Sequence, residues 1–128
     1  MHENEISKII VDTAFKIYKG LGPGLLESVY QRIFEHELKS FGLKIDSEVI
    51  IPVHWSGLKF DQGFRADIIV ENKVIIELKS VEKLLPVHPK QLRTYLILSE
   101  LKLGLLINFN EDKFTNGIKR VVNGLDKN

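Results

Sequence analysis

Two hydrophobic periods alternate along this chain, and the switches between them mark its elements. Residues 4–19 carry Ile6, Ile9, Ile10, Thr13, Ala14, Ile17 and Tyr18 at the three-and-four spacing of a single helix face. The glycine-rich segment 20–24 stops that helix. A second helix is predicted from about Leu25 to Phe41, with Val29, Tyr30, Ile33, Phe34, Leu38 and Phe41 turned inward and Gly42 closing it. Residues 44–55 change to period two, with Ile45, Ser47, Val49, Ile51, Val53 and Trp55 on one side and Pro52 near the end. Ser56-Gly57 predicts a hairpin turn into a short strand, Leu58–Phe60. Two apolar runs follow, Ala66–Val70 and Val74–Leu78. Residues 81–89 read as a loop, 90–102 as a third helix and 104–109 as a buried strand. Residues 114–122 read as a weaker strand or short helix, and 123–128 as a polar tail. The order α-α-β-β-β-β-α-β, with one helix crossing over between strands, predicts an α/β fold in which a mixed sheet is flanked by helices in three layers.

The two central runs fix their own register. Centred on Asn72, a hairpin sets Ala66 opposite Leu78, Ile68 opposite Ile76 and Val70 opposite Val74, so that one face is wholly apolar. The other face then holds Arg65, Asp67, Ile69, Ile75, Glu77 and Lys79, with Asp67 opposite Glu77. A slip of one residue would mix charged and apolar positions, so the pattern selects this register. It requires a three-residue connection, Glu71–Lys73, with Asn72 or Lys73 left-handed.

That second face carries the chemistry. Charges inside apolar strands are costly to bury unless they are paired or bind a metal. Two adjacent carboxylates raise each other's pKa, and a divalent cation between them relieves the repulsion. Oxygen ligands without cysteine suit Mg²⁺ or Mn²⁺ better than zinc. Lys79, two residues beyond Glu77, can direct its ammonium at an anion or a water. Metal, lysine and anionic substrate together point to phosphodiester chemistry. The competing reading is a surface hairpin with a solvated Asp/Glu/Lys face; Ile69 and Ile75 leave little of that face to solvent and favour a cleft.

Composition narrows the classes. With 128 residues and 44% hydrophobic positions, one domain spanning 1–128 can bury its own core. The absence of cysteine removes disulfides, thiolate nucleophiles and thiolate metal sites. The polar start and the lack of any long apolar run predict a cytoplasmic protein without a membrane span. A net charge of +1 does not announce a nucleic-acid binder, so such binding needs a local basic patch, dimerisation or a protein partner. Segment 20–24 lacks the lysine and hydroxyl of a phosphate-cradling P-loop.

Four short motifs stand in order: Gly24-Leu-Leu-Glu27-Ser-Val-Tyr30, Asp67, Glu77-Leu78-Lys79, and Gln91-Leu-Arg-Thr-Tyr95. In this arrangement the chain resembles the PD-(D/E)XK nuclease superfamily, and within it a small bacterial branch named for the motif GxxExxY. Ala66 stands where that superfamily often has proline. The resemblance implies a restriction-endonuclease-like fold and Mg²⁺-dependent hydrolysis of nucleic acid, with DNA the expected substrate and Mn²⁺ a substitute cation. It implies that Asp67, Glu77 and the Leu78 carbonyl hold the metal and that Glu27 reaches it directly or through water. It further implies that Lys79 orients or deprotonates the attacking water or stabilises phosphate charge, and that Gln91 positions substrate or Lys79. Tyr30, Arg65, Lys90, Arg93 and Tyr95 complete the set as candidate lining residues, with Lys83 and His88 nearby. Tyr30 reads better as a packing residue than a reacting one. His36 and His54 have no evident partner, and Trp55 could stack on a base or finish a core or an interface. A non-catalytic module that keeps the fold and binds nucleic acid or protein is the alternative.

Overall fold

The structure, a computed structural model, describes residues 1–126; the end of the polar tail, Lys127 and Asn128, lies outside the described residues. Its elements are α1 (Glu3–Leu21), α2 (Glu27–Lys39), β1 (Ile45–Trp55), β2 (Leu58–Val70), β3 (Val74–Lys79), α3 (Val87–Ser99), β4 (Leu103–Asn108), a 3₁₀ turn (Phe114–Gly117) and β5 (Ile118–Val122). The five strands form one mixed sheet in the order β1-β2-β3-β4-β5. The β3–β4 pair is parallel and joined through α3; the other pairs are antiparallel. No helix among the described residues is long and apolar enough to cross a membrane.

Helices cover both faces of the sheet, which gives the three layers expected. Ile6, Ile10, Ala14 and Ile17 of α1 and Tyr30, Phe34 and Leu38 of α2 bury Ile68, Val70, Val74, Ile76 and Leu78. On the opposite face Leu92 and Leu96 of α3 cover Ile51, Ile69, Ile75 and Leu106. The parallel pair is therefore buried on both sides, and β4 reads as a continuous apolar run for that reason. The approach of α3 to β4 is close enough that a Cβ at Gly104 would stand 2.9 Å from the Leu92 side chain. Gly104→Val should therefore destabilise the fold by about 1–3 kcal/mol through overpacking. A lower urea midpoint at unchanged m would show it.

The central hairpin pairs Ile68 with Ile76, Ile69 with Ile75 and Val70 with Val74, the register selected by the hydrophobic pattern. Its three-residue connection places Glu71 and Asn72 at positive φ of 54°, so Asn72 is left-handed as expected and Glu71, rather than Lys73, is its companion. The Ser56-Gly57 turn has φ of 46° and 82°, the two left-handed residues of a type I′ hairpin.

Several boundaries differ from the sequence expectation, each for a local reason. The first helix runs through Gly20 and stops at Gly22, whose φ of 69° suits glycine and whose N–H donates to the Tyr18 carbonyl. Because α2 ends at Lys39, Phe41 falls beyond it and is exposed, and Val29 is exposed on the helix itself. The third helix begins at Val87, since Pro89 sits in its first turn, where a missing N–H costs nothing. Leu58–Phe60 is not a separate strand; it runs on into Val70 through an irregularity at residues 61–63. Ala66, assigned by strict alternation to the Ile68 face, packs instead with the α3-side cluster. Residues 114–122 form both a short helical turn and a fifth strand.

Candidate active site

The ladder between β2 and β3 stops where the charges begin. Asp67 and Glu77 would be the next pair after Ile68 and Ile76, but their side chains take over from the backbone. The Asp67 Oδ2 accepts the Leu78 N–H at 2.9 Å, and Glu77 Oε1 lies 3.4 Å from the Asp67 N–H. Each carboxylate thus binds the opposite strand's main chain, which locks the two together. The Asp67 carbonyl accepts in turn from Gln31 Nε2 at 3.2 Å, and that amide also donates to Glu35 at 3.0 Å.

Burial sets the electrostatics. Glu77 is 8% exposed within the sheet. Burial first, and then the neighbouring Asp67, push its carboxyl up to about 8, while Lys79 acts in the opposite direction. The Tyr95 hydroxyl is held above its ordinary value by burial, and then by Glu77 and Asp67. Among the described residues Lys79 makes no ion pair and no side-chain hydrogen bond, so its ammonium is available to an anion.

These groups open onto a cleft of about 430 Å³ lined by Glu27, Ser28, Gln31, Glu48, Arg65, Asp67, Glu77, Leu78, Lys79, Gln91 and Tyr95. It lies at the carboxyl end of β3, between α2 and α3. The two helices contribute Glu27 and Gln31 from one side and Gln91 and Tyr95 from the other. Tyr95 stacks on Phe64 of β2 at 3.8 Å between ring centroids. Arg65 is at the rim, 3.6 Å from Glu48. The Leu78 side chain belongs to the core on the other face, so it can offer the cleft only its main chain.

Glu27 is delivered by a built loop. Gly24 has φ of 113°, a region that side-chain-bearing residues rarely enter. The Tyr30 hydroxyl donates to the Gly22 carbonyl at 2.6 Å and accepts from the Leu25 N–H at 3.2 Å. Ser80 Oγ ties the Leu25 carbonyl to the end of β3 at 2.7 Å. Tyr30 itself is fully buried and stacks on Phe109 at 4.4 Å. It does not line the cleft, contrary to the sequence expectation; its ring is core, and its hydroxyl holds the loop that starts α2.

Other candidates stand apart. Lys90 and Arg93 are exposed on α3 but outside the cleft lining, to which α3 contributes Gln91 and Tyr95, one turn apart. Lys83 lines a different depression with Glu111 and Asp112, and His88 accepts the Leu85 N–H at 3.0 Å within its own turn. His36 is exposed on α2, and His54 and Trp55 are exposed on the β1–β2 hairpin. Among the described residues no three His, Asp or Glu side chains are grouped closely enough to hold a metal ion. Asp67 and Glu77 are a pair, and Glu27 faces them across the cleft rather than joining them.

Two positioning residues carried no sequence signal of that role. Gln31 donates to the Asp67 main-chain carbonyl and lies four residues after Glu27 on the same helix face. Asn108 is 2% exposed at the end of β4; its amide donates to the Val81 carbonyl at 2.9 Å and its oxygen accepts the Val81 N–H at 3.1 Å. With the Phe109 N–H donating to the Lys79 carbonyl at 3.1 Å, this clamps the segment that follows Glu77-Leu78-Lys79.

Comparison with known proteins agrees with the fold. No curated protein matches the sequence. The crystal structure of SSO0001 superposes with a TM-score of 0.56 at 25% identity, covering 97% of this chain and 61% of that one. The chain thus spans about three fifths of the length of SSO0001. The profile of the PD-(D/E)XK nuclease superfamily matches residues 4–121, which include every element from α1 to β5. The match covers nearly the whole chain, and the chain belongs to the PD-(D/E)XK nuclease superfamily.

Proposed function

We propose that this chain is a divalent-cation-dependent nuclease of the GxxExxY branch that hydrolyses phosphodiester bonds, with DNA as its substrate. The observation that carries this reading is the pairing of a half-buried Asp67 with a buried Glu77, open to a cleft beside Lys79, which has no ion pair among the described residues. The donor set fits Mg²⁺ or Mn²⁺: two carboxylates, and the Leu78 main chain where the cleft wall runs between them. Burial has left Glu77 holding a proton near neutrality, and a cation would displace it. Bound there, a divalent cation supplies Lewis acidity toward the phosphoryl oxygen and a lowered pKa for water.

The chain's own residues do the rest. Asp67 is held by the Leu78 N–H and, through its carbonyl, by Gln31, so the carboxylate is presented in one orientation. Lys79 places positive charge where the phosphate gains negative charge during in-line attack. Glu27, on the opposite wall, accepts a hydrogen bond from the attacking water, and Gln91 donates to the substrate's phosphate or sugar. Tyr95 and Phe64 close the wall with apolar surface. Arg65 is partly neutralised by Glu48, which keeps the rim close to neutral.

The test is cleavage of plasmid and of single-stranded DNA with and without Mg²⁺ or Mn²⁺. Cation-dependent nicking supports the proposal. No cleavage of either substrate, with DNA still bound, would make the chain a binding module that keeps the nuclease fold.

A further inference from the structure

The β1–β2 hairpin reaches past the rest of the sheet. β2 has 13 residues and β3 only 6, and their pairing ends at Ile68 and Ile76. The portion from Val53 to Phe60 has no third strand beside it and projects from the end of the sheet that holds Glu77 and Lys79. Cross-strand pairs Ile51/Phe64, Val53/Phe60 and Trp55/Leu58 follow one another along it. Ile51, Val53 and Trp55 alternate along β1 and so share a face. That face begins inside the core, where Phe64 stacks on the cleft residue Tyr95. It continues outward into the open, where Trp55 is 72%, Leu58 58% and Phe60 55% exposed.

The arm is held in place rather than trailing. Between Ile51/Phe64 and Val53/Phe60, β1 contributes one residue, Pro52, and β2 contributes three, Asp61, Gln62 and Gly63. A Cβ at Gly63 would stand 2.2 Å from Val53 Cγ2 and 2.9 Å from the Ile51 carbonyl, so the bulge is pressed against β1 backbone. Bulges of this kind re-aim the strand that carries them. The tip is closed by the tight Ser56-Gly57 turn.

We propose that this arm is a stacking platform for unpaired bases, and that it receives the nucleic-acid strand whose backbone lies in the cleft. The inference rests on reading the cleft as a nucleic-acid site. Three observations favour this occupant. The apolar face is continuous with the cleft wall through Phe64 and Tyr95. Its exposed members include an indole and a phenyl ring, and their π-faces accept any base. Its size is small for a subunit contact: at about 200 Å² per large side chain the three residues expose on the order of 400 Å², near half of the roughly 800 Å² per partner in a standard interface. Duplex DNA keeps its bases stacked on one another, so the platform selects single strands, flaps or ends.

Trp55 is the single tryptophan of the chain, so its emission reports the arm alone. The full chain, without added divalent cation, is titrated with a thymidine oligonucleotide of about 12 residues, its ribo counterpart and a duplex of the same length. The expected result is quenching of Trp55 by the single strands and weaker quenching by the duplex. In anisotropy with labelled oligonucleotide, Trp55→Ala and Phe60→Ala should each weaken single-strand binding roughly 5- to 100-fold, with Trp55→Phe close to wild type. Both positions are exposed, so the fold is expected to persist. Hydrolysis of bis(p-nitrophenyl) phosphate, too small to reach the arm, reports the cleft separately and should be unchanged by Trp55→Ala. Single strands bound equally by wild type and Trp55→Ala would overturn the inference while leaving the cleft reading intact. So would a dimer that dissociates on Trp55→Ala, with no oligonucleotide bound.

Discussion

Replacing Lys79 with alanine should lower the rate of phosphodiester cleavage by at least about 100-fold, and by as much as about 10⁴-fold. The effect should fall on kcat, with divalent-cation affinity and thermal stability nearly unchanged. Lys79 lies at the end of β3, half-buried, on the same face as Glu77 and without any ion pair among the described residues. Because no carboxylate among the described residues forms an ion pair with Lys79, its removal costs the fold little and deletes charge where the substrate's phosphate develops it. Lys79→Arg separates two roles. Arginine retains the charge but gives up a proton far less readily, so recovery of most of the rate would mean charge stabilisation, and little recovery would mean proton transfer. Single-turnover cleavage of a labelled oligonucleotide measures both. A rate for Lys79→Ala equal to wild type would remove Lys79 from the site.

Without a divalent cation, the protein should lose stability as pH rises from 4.5 to about 8, and Glu77 should account for most of the loss. In the folded chain its carboxyl is raised from 4.5 to about 8, by burial first and Asp67 second. Between those two values the folded state holds a proton that the unfolded state has released. Proton uptake therefore favours folding in this window, and stability falls as pH rises through it; below 4.5 and above 8 this group adds no slope. The full effect is on the order of a few kcal/mol, or roughly 10 °C in Tm for a domain of this size. Glu77→Gln, neutral at every pH, should flatten the curve and be more stable than wild type at pH 9. Saturating Mg²⁺ or Mn²⁺ should do the same for wild type by giving the ionised carboxylates a partner, and should do little for Glu77→Gln. Thermal melts of both proteins at a series of pH values, with and without cation, give all four curves. A wild-type Tm that rises across this window would reverse the argument.

How much of this could be read from the sequence depends on the range of the forces involved. The central hairpin was legible because period-two alternation leaves only one register that keeps Ile68, Val70, Val74 and Ile76 together, and the structure pairs them so. Asp67, Glu77 and Lys79 stood out for the same reason: charges that break an apolar run are visible against it. Leu58–Phe60 reads in the sequence as a short strand of its own, whereas the chain continues through the irregularity at 61–63 as one strand to Val70. Ala66 is small enough to serve either core, and the ladder opening at Asp67 sends it to the α3 side. Tyr30 keeps the helical spacing of a core residue whether or not its hydroxyl has work to do. Only the fold shows that the hydroxyl fastens Gly22 and Leu25. Gln31 acts through one hydrogen bond and Asn108 through two, to main-chain atoms 36 and 27 residues away, and such contacts leave no periodic mark.

The central claim is that Asp67 and Glu77 form a cation site beside Lys79, and calorimetric titration with Mn²⁺ tests it most directly. Asp67→Asn is the informative partner, because the amide oxygen can still accept the Leu78 N–H and preserve the strand contact while the charge is gone. Saturable binding to wild type is expected, with proton release on binding near neutral pH as Glu77 ionises and at least about tenfold weaker binding to Asp67→Asn at unchanged fold. Equal affinity for the two proteins, or no binding to wild type, would contradict the claim.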